Sequence, residues 1–354
     1  MSDRGRGRPI WLPRLITGLI LLAGIALLAV VTEAIGDRVF VRVVTVLLIN
    51  MVLVVGLQVF MGNSGLVSFG HVAFMGIGAY GSIWFSLTPE QKNLALPDMP
   101  EEWWLHQTTL PFPLAIVAGG LLALIVGGII GIALVRLRGA SFTIATFALL
   151  LIVHSVSLQT EVLTRGSRTV FGIPPYTTLW TVAAWAVAAV IVALLFKESA
   201  TGLKLRAARE DEDAAASLGV DAARVRWLGW ALSVFIAGVG GGLWAHFITT
   251  FSPAAFYLSQ TFLIVAMLII GGSRSVSGAV VGAAAVALTS ELLRDIEGRL
   301  NTQRADGAGL GQFIPFQLVG FTEIVLAIAI ILILIWRPAG ITGGREIGVG
   351  GRGS

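Results

Sequence analysis

Charged residues are scarce in this sequence, and cysteine is absent altogether. Lys, Arg, Asp and Glu make up 12% of the 354 residues and hydrophobic residues make up 56%, whereas a soluble domain usually carries about 25% charged residues. So few charges cannot cover a large water-soluble core, so the composition predicts an integral membrane protein. The lack of cysteine excludes disulfides, thiolate chemistry and Cys-based metal sites. The net charge of +4 is small, and Lys and Arg lie between apolar runs, so no nucleic-acid partner is expected.

Long apolar runs are abundant instead. A spanning helix needs about 20 mainly apolar residues, and ten segments approach that length: 15–32, 40–60, 66–87, 111–135, 141–160, 177–196, 227–248, 256–271, 275–292 and 316–336. The sequence therefore predicts an all-α integral membrane protein with about ten transmembrane segments. The third and ninth segments are richest in Gly, Ser and Ala. They are candidates for broken or re-entrant segments, which are tolerated where they are buried in protein or line a cavity.

The distribution of basic residues predicts an orientation. With a cytoplasmic N-terminus, ten crossings place sixteen Lys and Arg residues on the cytoplasmic side and eight on the other, as the positive-inside rule requires. Both termini are therefore predicted to be cytoplasmic. The chain divides into a basic N-terminal tail at 1–14, a transmembrane domain at 15–336 and a Gly/Arg-rich tail at 337–354. We expect that last tail to be disordered.

The stretch Gly76-Ile77-Gly78-Ala79-Tyr80-Gly81 matches the G-x-G-x-x-G dinucleotide pattern. That fingerprint needs a strand before it and a helix after it in a βαβ unit, whereas these glycines lie inside an apolar run with no preceding strand. Small residues let helix backbones approach closely in lipid. We interpret the glycines as helix-packing residues. Since no P-loop motif occurs either, no nucleotide cofactor is expected.

A polar series precedes these glycines: Asn63, Ser64, Ser68 and His71. Spacings of four and three would place Ser64, Ser68 and His71 on one face of a helix. Intramembrane polar residues usually face the bundle interior or a water-filled path. Two interpretations stay open: bonding among these residues and neighbouring helices, or a translocation path. A metal role for His71 is not supported, because no second His or carboxylate stands at ligand spacing.

No group of residues indicates an enzyme. Catalysis needs a nucleophile, a base and an orienting group that converge, whereas the polar residues here are scattered singly among apolar segments. Glu323, an ionisable residue inside the last segment, is a functional candidate by default. It leaves open an ion- or proton-coupled carrier, although its place near the outer interface favours water or an arginine partner.

The longest strongly polar stretch, residues 197–226, is here named the charged loop and is predicted to be cytoplasmic. Residues from Leu203 to Leu218 are good helix formers, and Gly219 suits the left-handed position that ends a helix. One short helix, a turn and the next span are therefore expected. A loop that only joins two spanning helices needs only a few residues. The extra length fits a docking element for a partner or a solvated connector, and composition does not choose between them.

Within the charged loop, Glu212-Asp213-Ala214-Ala215-Ala216-Ser217-Leu218-Gly219 resembles the EAA-type loop of ABC-transporter permeases. Other motifs resemble the LivM-type permeases of branched-chain amino-acid importers. They are Gly62 to His71, Arg136-Leu137-Arg138-Gly139, Leu163 to Gly166, Gly172-Ile173-Pro174, Gly271-Gly272-Ser273 and Trp336-Arg337-Pro338-Ala339-Gly340. No single motif is specific, but their order and spacing from about residue 45 to 340 are. The similarity covers nearly the whole chain.

The resemblance implies a multi-pass permease subunit of a bacterial inner membrane that moves branched-chain or related apolar amino acids by alternating access. The implied partners are a second related permease, two cytoplasmic ATP-binding-cassette ATPases and a periplasmic substrate-binding protein. ATP hydrolysis would reside in the ATPases, and no cofactor is implied for this chain. The implied ATPase-coupling loop comprises Arg209, Glu212, Asp213, Ala214, Ala215, Ala216 and Gly219, in which Ala214 to Ala216 form the docking surface and Gly219 the turn.

Two positions depart from the family pattern. Arg165 follows Leu-Thr where the family often has glycine, and Arg274 follows Gly-Gly-Ser where glycine is common. These departures leave the solute open among related permeases. Urea, short amides and sugars are the alternatives, because the binding protein usually sets specificity.

Overall fold

The computed structural model describes residues 11–305, 316–337 and 339–347, and regular structure in these ranges is helical. Its one pairing of extended residues there is an isolated antiparallel bridge between Val170 and Phe251. The all-α prediction is confirmed. The helices are α1 Trp11–Ile35, α2 Arg38–Ser64, α3 His71–Ser86, α4 Pro89–Ala95, α5 Trp104–Gln107, α6 Phe112–Leu134, α7 Gly139–Gln159, α8 Glu161–Thr164, α9 Leu179–Glu198, α10 Ala200–Glu210, α11 Glu212–Ser217, α12 Ala222–Ile248, α13 Leu258–Gly271, α14 Val276–Ala305 and α15 Phe321–Trp336, with a 3₁₀ turn at Pro253–Phe256.

Within the described ranges, eight helical segments are long and apolar enough to cross a membrane. They contain α1, α2, α6, α7, α9, α12, α13 and α14. Helices α3 and α15, which correspond to the third and tenth predicted segments, have 16 residues each. At 1.5 Å per residue each reaches about 24 Å, less than the roughly 30 Å of a hydrocarbon core. The chain is a multi-pass membrane protein, and the number ten stays a prediction.

In both Gly/Ser-rich segments, irregular backbone precedes a continuous helix. Residues 65–70, which include Gly65 with a φ of 73°, precede α3, which is continuous from His71 to Ser86. Residues 272–275 precede α14, which is continuous from Val276 to Ala305. A break inside either helix, which the sequence offered as a candidate, is therefore not observed, and whether α3 crosses fully stays a prediction.

Helices α2, α3, α6 and α12 form the centre of the bundle. The spanning window of α2 is 89% buried, whereas those of α1 and α7 are 22% buried and expose apolar side chains. Close backbone approach holds the centre together. A Cβ added to Gly78 would lie 2.2 Å from the carbonyl oxygen of Gly238, and one added to Gly241 would lie 1.9 Å from that of Met75. The helix-packing interpretation of Gly78 is confirmed.

Residues 339–347, here named the C-terminal strap, are structured, so the expected disorder is wrong for this part of the tail. The backbone N–H of Ile341 donates to the carbonyl of Ile270 at 2.8 Å, and Thr342 Oγ1 donates to that of Gly271 at 2.8 Å. The strap thus pairs with carbonyls that the end of α13 leaves open. Thr17 Oγ1 in α1 donates to the carbonyl of Ile347 at 2.6 Å, so the strap and the beginning of α1 lie at one end of the bundle.

Helix α1 begins at Trp11, inside the tail predicted at 1–14. Residues 1–10, 338 and 348–354 of the two predicted tails lie outside the described residues. The side chain of Glu323 also lies outside the described side chains, so its proposed part in proton coupling stays a prediction.

Candidate functional site

The charged loop forms two helices where one was predicted. Helices α10 and α11 are separated at Asp211, whose carboxylate accepts a hydrogen bond from the backbone N–H of Ala214 at 2.9 Å. An aspartate in this role starts a new helix, so the single helix predicted from Leu203 to Leu218 is wrong. Gly219 has a φ of 80°, which confirms its predicted left-handed conformation after the helix.

The alanines of α11 lie in different environments. Ala215 is buried against α10 and α12, whereas Ala214 and Ala216 are exposed. Leu218 is 84% exposed, and sequence reasoning did not single it out as a docking residue. Its position as an apolar residue directly before Gly219 was the signal that could have identified it. The exposed face of α11, here taken with the residue that follows the helix, comprises Asp213, Ala214, Ala216, Ser217 and Leu218.

Glu212 fixes the orientation of α11. Its carboxylate receives both guanidinium nitrogens of Arg226, at 2.7 and 3.3 Å, and pairs with Arg138 at 2.9 Å. Arg226 lies in α12 and only 8% of its side chain is exposed, so this bidentate contact is largely shielded from water. Glu212 therefore joins α11 to α12 and to the connection between α6 and α7.

Arg209 joins the charged loop to the end of α2. Its Nη1 donates to the carbonyl oxygen of Gly62 at 2.8 Å, one of the carbonyls that the end of α2 leaves open. Its aliphatic carbons lie against Gly65, where an added Cβ would stand 2.8 Å from Cγ of Arg209. Burial and the nearby charge of Arg274 lower the pKa of Arg209, against the opposing charge of Glu210. The guanidinium nevertheless stays protonated.

The same carbonyl region contacts the second Gly/Ser-rich turn. A Cβ added to Gly62 would lie 2.2 Å from the carbonyl oxygen of Ser273, so only glycine allows α2 to approach this turn. Arg274 follows Ser273 and brings its charge close to Arg209. We name the meeting point of Gly62, Gly65, Arg209 and Ser273 the junction.

The polar series is not one helical face, because residues 65–70 are not helical. Ser64 Oγ accepts from the backbone N–H of Leu66 at 3.2 Å, away from His71. Ser68 and His71 do meet, at 2.8 Å between Oγ and Nδ1. The other nitrogen of His71, Nε2, lies 2.6 Å from Ser233 Oγ in α12. Ser233 donates to the carbonyl of Gly56 at 2.6 Å, which assigns the His71 proton to Nε2.

Aromatic rings enclose His71. Trp230 meets it edge to face at 5.0 Å between centroids, and Phe60 lies at 6.1 Å. Phe142 and Phe74 pack on the same tryptophan. Ser68, His71 and Ser233 within this ring are here named the His71 cluster.

Two buried amides nearby are less well paired. Asn63 Nδ2 donates to the carbonyl of Val59 at 2.9 Å, but its Oδ1 is buried without a partner. Gln58, fully buried one turn before Gly62, has no partner for either amide atom. Sequence reasoning missed Gln58, although a glutamine inside an apolar run is itself a candidate for a functional residue. Such orphaned groups are rare in folded proteins.

The departure at Arg165 has a local explanation. Arg165 ends α8 with a φ of 64°, a left-handed conformation that glycine adopts without strain. Its guanidinium lies 4.4 Å from the ring centroid of Phe171 and donates to the carbonyl of Thr169 at 3.0 Å. These contacts are a cation–π interaction and a hydrogen bond that glycine cannot make.

Known proteins resemble the chain over most of its length. The family model of the branched-chain amino acid transport system permease component matches residues 39–336. The high-affinity branched-chain amino acid transport system permease protein LivM of Escherichia coli K12 is 26% identical over 91% of this chain and 74% of its own length. LivM of Salmonella typhimurium LT2 is 25% identical over the same shares. A probable branched-chain amino acid transport permease protein LivH of Methanocaldococcus jannaschii is 30% identical over 42% of this chain and 43% of its own. No solved structure gives a significant match.

Proposed function

The chain belongs to the branched-chain amino acid transport permease family, and on this premise we propose that it is a membrane-spanning subunit of an ATP-driven importer. The solute is a branched-chain or related apolar amino acid. A second related permease, two ATP-binding-cassette ATPases and a periplasmic substrate-binding protein complete the assembly. Its place is a bacterial inner membrane, with the charged loop and both termini in the cytoplasm.

The hydrogen bond from Arg209 to Gly62 is the observation that carries this proposal. It joins the charged loop, which is the part of the chain suited to dock on an ATPase, to the end of α2 inside the bundle. The exposed face of α11 receives the ATPase, while Glu212 holds α11 rigidly on α12. A displacement of α10 then moves the end of α2 through Arg209. Such rigid-body movement around a fixed site is how alternating access works in many transporters.

Within the bundle, we assign different roles to the polar residues. Ser68 and His71 are satisfied by each other and by Ser233, which supports packing rather than solute contact. Asn63 and Gln58 keep buried amide atoms without partners, so water, solute or a second conformation must satisfy them. They are the better candidates for the translocation path.

The test is uptake by the reconstituted assembly. The chain is purified with its neighbouring gene products and placed in liposomes, and labelled leucine uptake is measured with ATP or with a non-hydrolysable analogue. We expect uptake with ATP alone, competition by isoleucine and valine, and no effect of a protonophore. Competition by urea, amides or sugars, and not by isoleucine and valine, would identify one of these compounds as the solute. Uptake that persists without the ATPases and stops in Glu323→Gln would replace the importer with a proton-coupled carrier.

A further inference from the structure

The C-terminal strap places one carboxylate, that of Glu346, at the beginning of α14. Oε1 accepts from the backbone N–H of Val276 at 2.9 Å and from Nζ of Lys197. Oε2 accepts from the backbone N–H of Ser277 at 2.9 Å and from its hydroxyl. Glu346 thus caps a helix that begins seventy residues earlier in the chain, where a carboxylate is favoured by the open N–H groups and the helix dipole.

The pair formed by Glu346 and Lys197 is largely buried. Their side chains are 14% and 9% exposed, respectively. Removing one member of a buried ion pair leaves the other charge uncompensated, so such a pair is sensitive to any change of either partner. The contact therefore fixes the strap against the end of α9 as well as against α14.

The strap and its partner Lys197 also fix the turn at residues 272–275, which borders the junction. Lys197 Nζ, which pairs with Glu346 of the strap, also donates to the carbonyl of Arg274 at 3.1 Å. Gly340 lies against Gly272, where an added Cβ on Gly340 would stand 2.5 Å from the backbone nitrogen. Thr342 Oγ1 lies 3.2 Å from Ser275 Oγ. The turn that presents Ser273 to Gly62 is thus covered by the strap on its other side.

We propose that Glu346 is a positioning residue of the transport cycle, in which the strap holds the 272–275 turn against Gly62 so that movement of Arg209 reaches α14 as well as α2. The inference rests on the proposed ATP-driven function. It differs from that function because it concerns the efficiency with which ATP hydrolysis is converted into transport, and it assigns this role to a segment remote from the charged loop in sequence.

The experiment measures leucine molecules taken up per ATP hydrolysed by the complete assembly in liposomes. Glu346→Gln is expected to leave ATPase binding and ATP hydrolysis in place while uptake per ATP falls about fivefold or more. Glu346→Asp, which keeps the carboxylate, should recover most of the loss. Arg345→Gln changes the charge of an exposed neighbouring residue in the same strap and should leave the ratio unchanged.

The outcomes separate the two proposals. A ratio for Glu346→Gln that equals the unmodified one, or an equal loss in Arg345→Gln, would overturn the positioning role while leaving the importer intact. Absence of ATP-dependent uptake by the unmodified assembly would overturn the proposed function and this inference together.

A second measurement covers the case in which Glu346→Gln fails to assemble. The chain has no cysteine and Ser275 is fully buried beneath the strap, so Ser275→Cys reports strap attachment through its reaction with a water-soluble maleimide. Because this substitution also replaces the hydroxyl that lies against Thr342 and accepts from Gly278, labelling rates and uptake are compared only between proteins that all carry it. Thr342→Val removes a different strap contact and should raise both the labelling rate and the loss of coupling. Faster labelling with unchanged uptake per ATP in Thr342→Val would contradict the inference, because the strap would then be detached without consequence for transport.

Discussion

The His71 cluster and the junction are both buried and polar, and they begin within a few residues of each other in the chain, but their partners differ. In the His71 cluster, the hydrogen-bond partners come from the packed segments around α2, α3 and α12, and aromatic rings close the space around them. At the junction, Arg209 arrives from the charged loop and donates to the open end of α2. One cluster holds the bundle together, and the other connects it to the loop.

Under the proposed function, burial and polarity alone do not separate residues of the transport mechanism from residues of packing. A polar side chain whose donors and acceptors are all satisfied by neighbouring helices contributes to packing. A polar side chain that crosses from a solvent-facing element to the end of a spanning helix can transmit a displacement.

The largest effect is expected from Gly241→Val in the centre. A Cβ there would lie 1.9 Å from the backbone oxygen of Met75, and backbone cannot move aside. Overpacking of this kind costs about 3 kcal/mol or more, so we expect little folded protein by size-exclusion chromatography after detergent extraction. Gly24→Val in α1 is the control, because nothing lies within 4 Å of its added Cβ. Equal yields of the two variants would contradict the account of the centre.

Leu218→Asp tests the exposed face of α11 without touching the bundle. We expect a folded chain that captures the ATPases about tenfold or more weakly, since an exposed apolar anchor of an interface becomes charged. ATPase capture by the immobilised chain measures this. Val319→Asp, at an apolar residue that is 77% exposed near the far end of α14, should leave capture unchanged. Normal capture by Leu218→Asp would remove this face from the docking surface.

Ser233→Ala tests the His71 cluster. It removes the hydrogen bonds to Gly56 and His71, so we expect the free energy of unfolding to fall by about 1–2 kcal/mol, with uptake per folded molecule unchanged. Thermal unfolding and uptake on the same preparation measure both quantities. Ser259→Ala, at an exposed serine, is the control. Normal stability with reduced uptake would move the cluster from packing to the translocation path.

The smallest effect concerns the strap and pH. Burial alone would raise the pKa of Glu346, but the charge of Lys197 and hydrogen bonds from Lys197 and Ser277 hold it below its ordinary value of 4.5. A carboxylate with a lowered pKa contributes stability above the ordinary value and loses it as the pH falls through the lowered one. Strap attachment should therefore be constant near pH 7 and weaken only below about pH 4.5.

Reaction of Ser275→Cys with a dithiodipyridine reagent, which modifies thiols in acid, measures that weakening. The same cysteine in the Glu346→Gln background should lack the acid-induced rise, because no carboxylate remains to be protonated. A rise of the same size in both backgrounds would assign the effect to another group.

Much of the fold follows from the sequence because it depends on local composition. Apolar run length predicted the eight described helices that are long enough to cross a membrane, and the small residues predicted the close packing seen between Gly78 and Gly238. The two-helix form of the charged loop was missed because the cap made by Asp211 outweighs the helix propensity around it. That sign was present in the sequence and was not used.

The remaining features depend on contacts between distant parts of the chain. Ser233 lies 162 residues from His71, and Glu346 lies 149 from Lys197. No spacing rule connects such residues, because their proximity is created by the packing of whole helices. For the same reason, sequence reasoning could not choose between packing and a translocation path for His71, and it predicted disorder where the strap is ordered.

The most direct test of the connection between loop and bundle is Arg209→Met in the reconstituted importer. Methionine keeps much of the apolar contact with Gly65 but cannot donate to Gly62. Lys204→Gln, at an exposed cation on the same helix, is the matched control. If the junction transmits the movement, leucine uptake per ATP hydrolysed falls about tenfold or more in Arg209→Met, while assembly, ATP hydrolysis and the control remain normal. An unchanged ratio in Arg209→Met would show that ATP hydrolysis drives transport by another route.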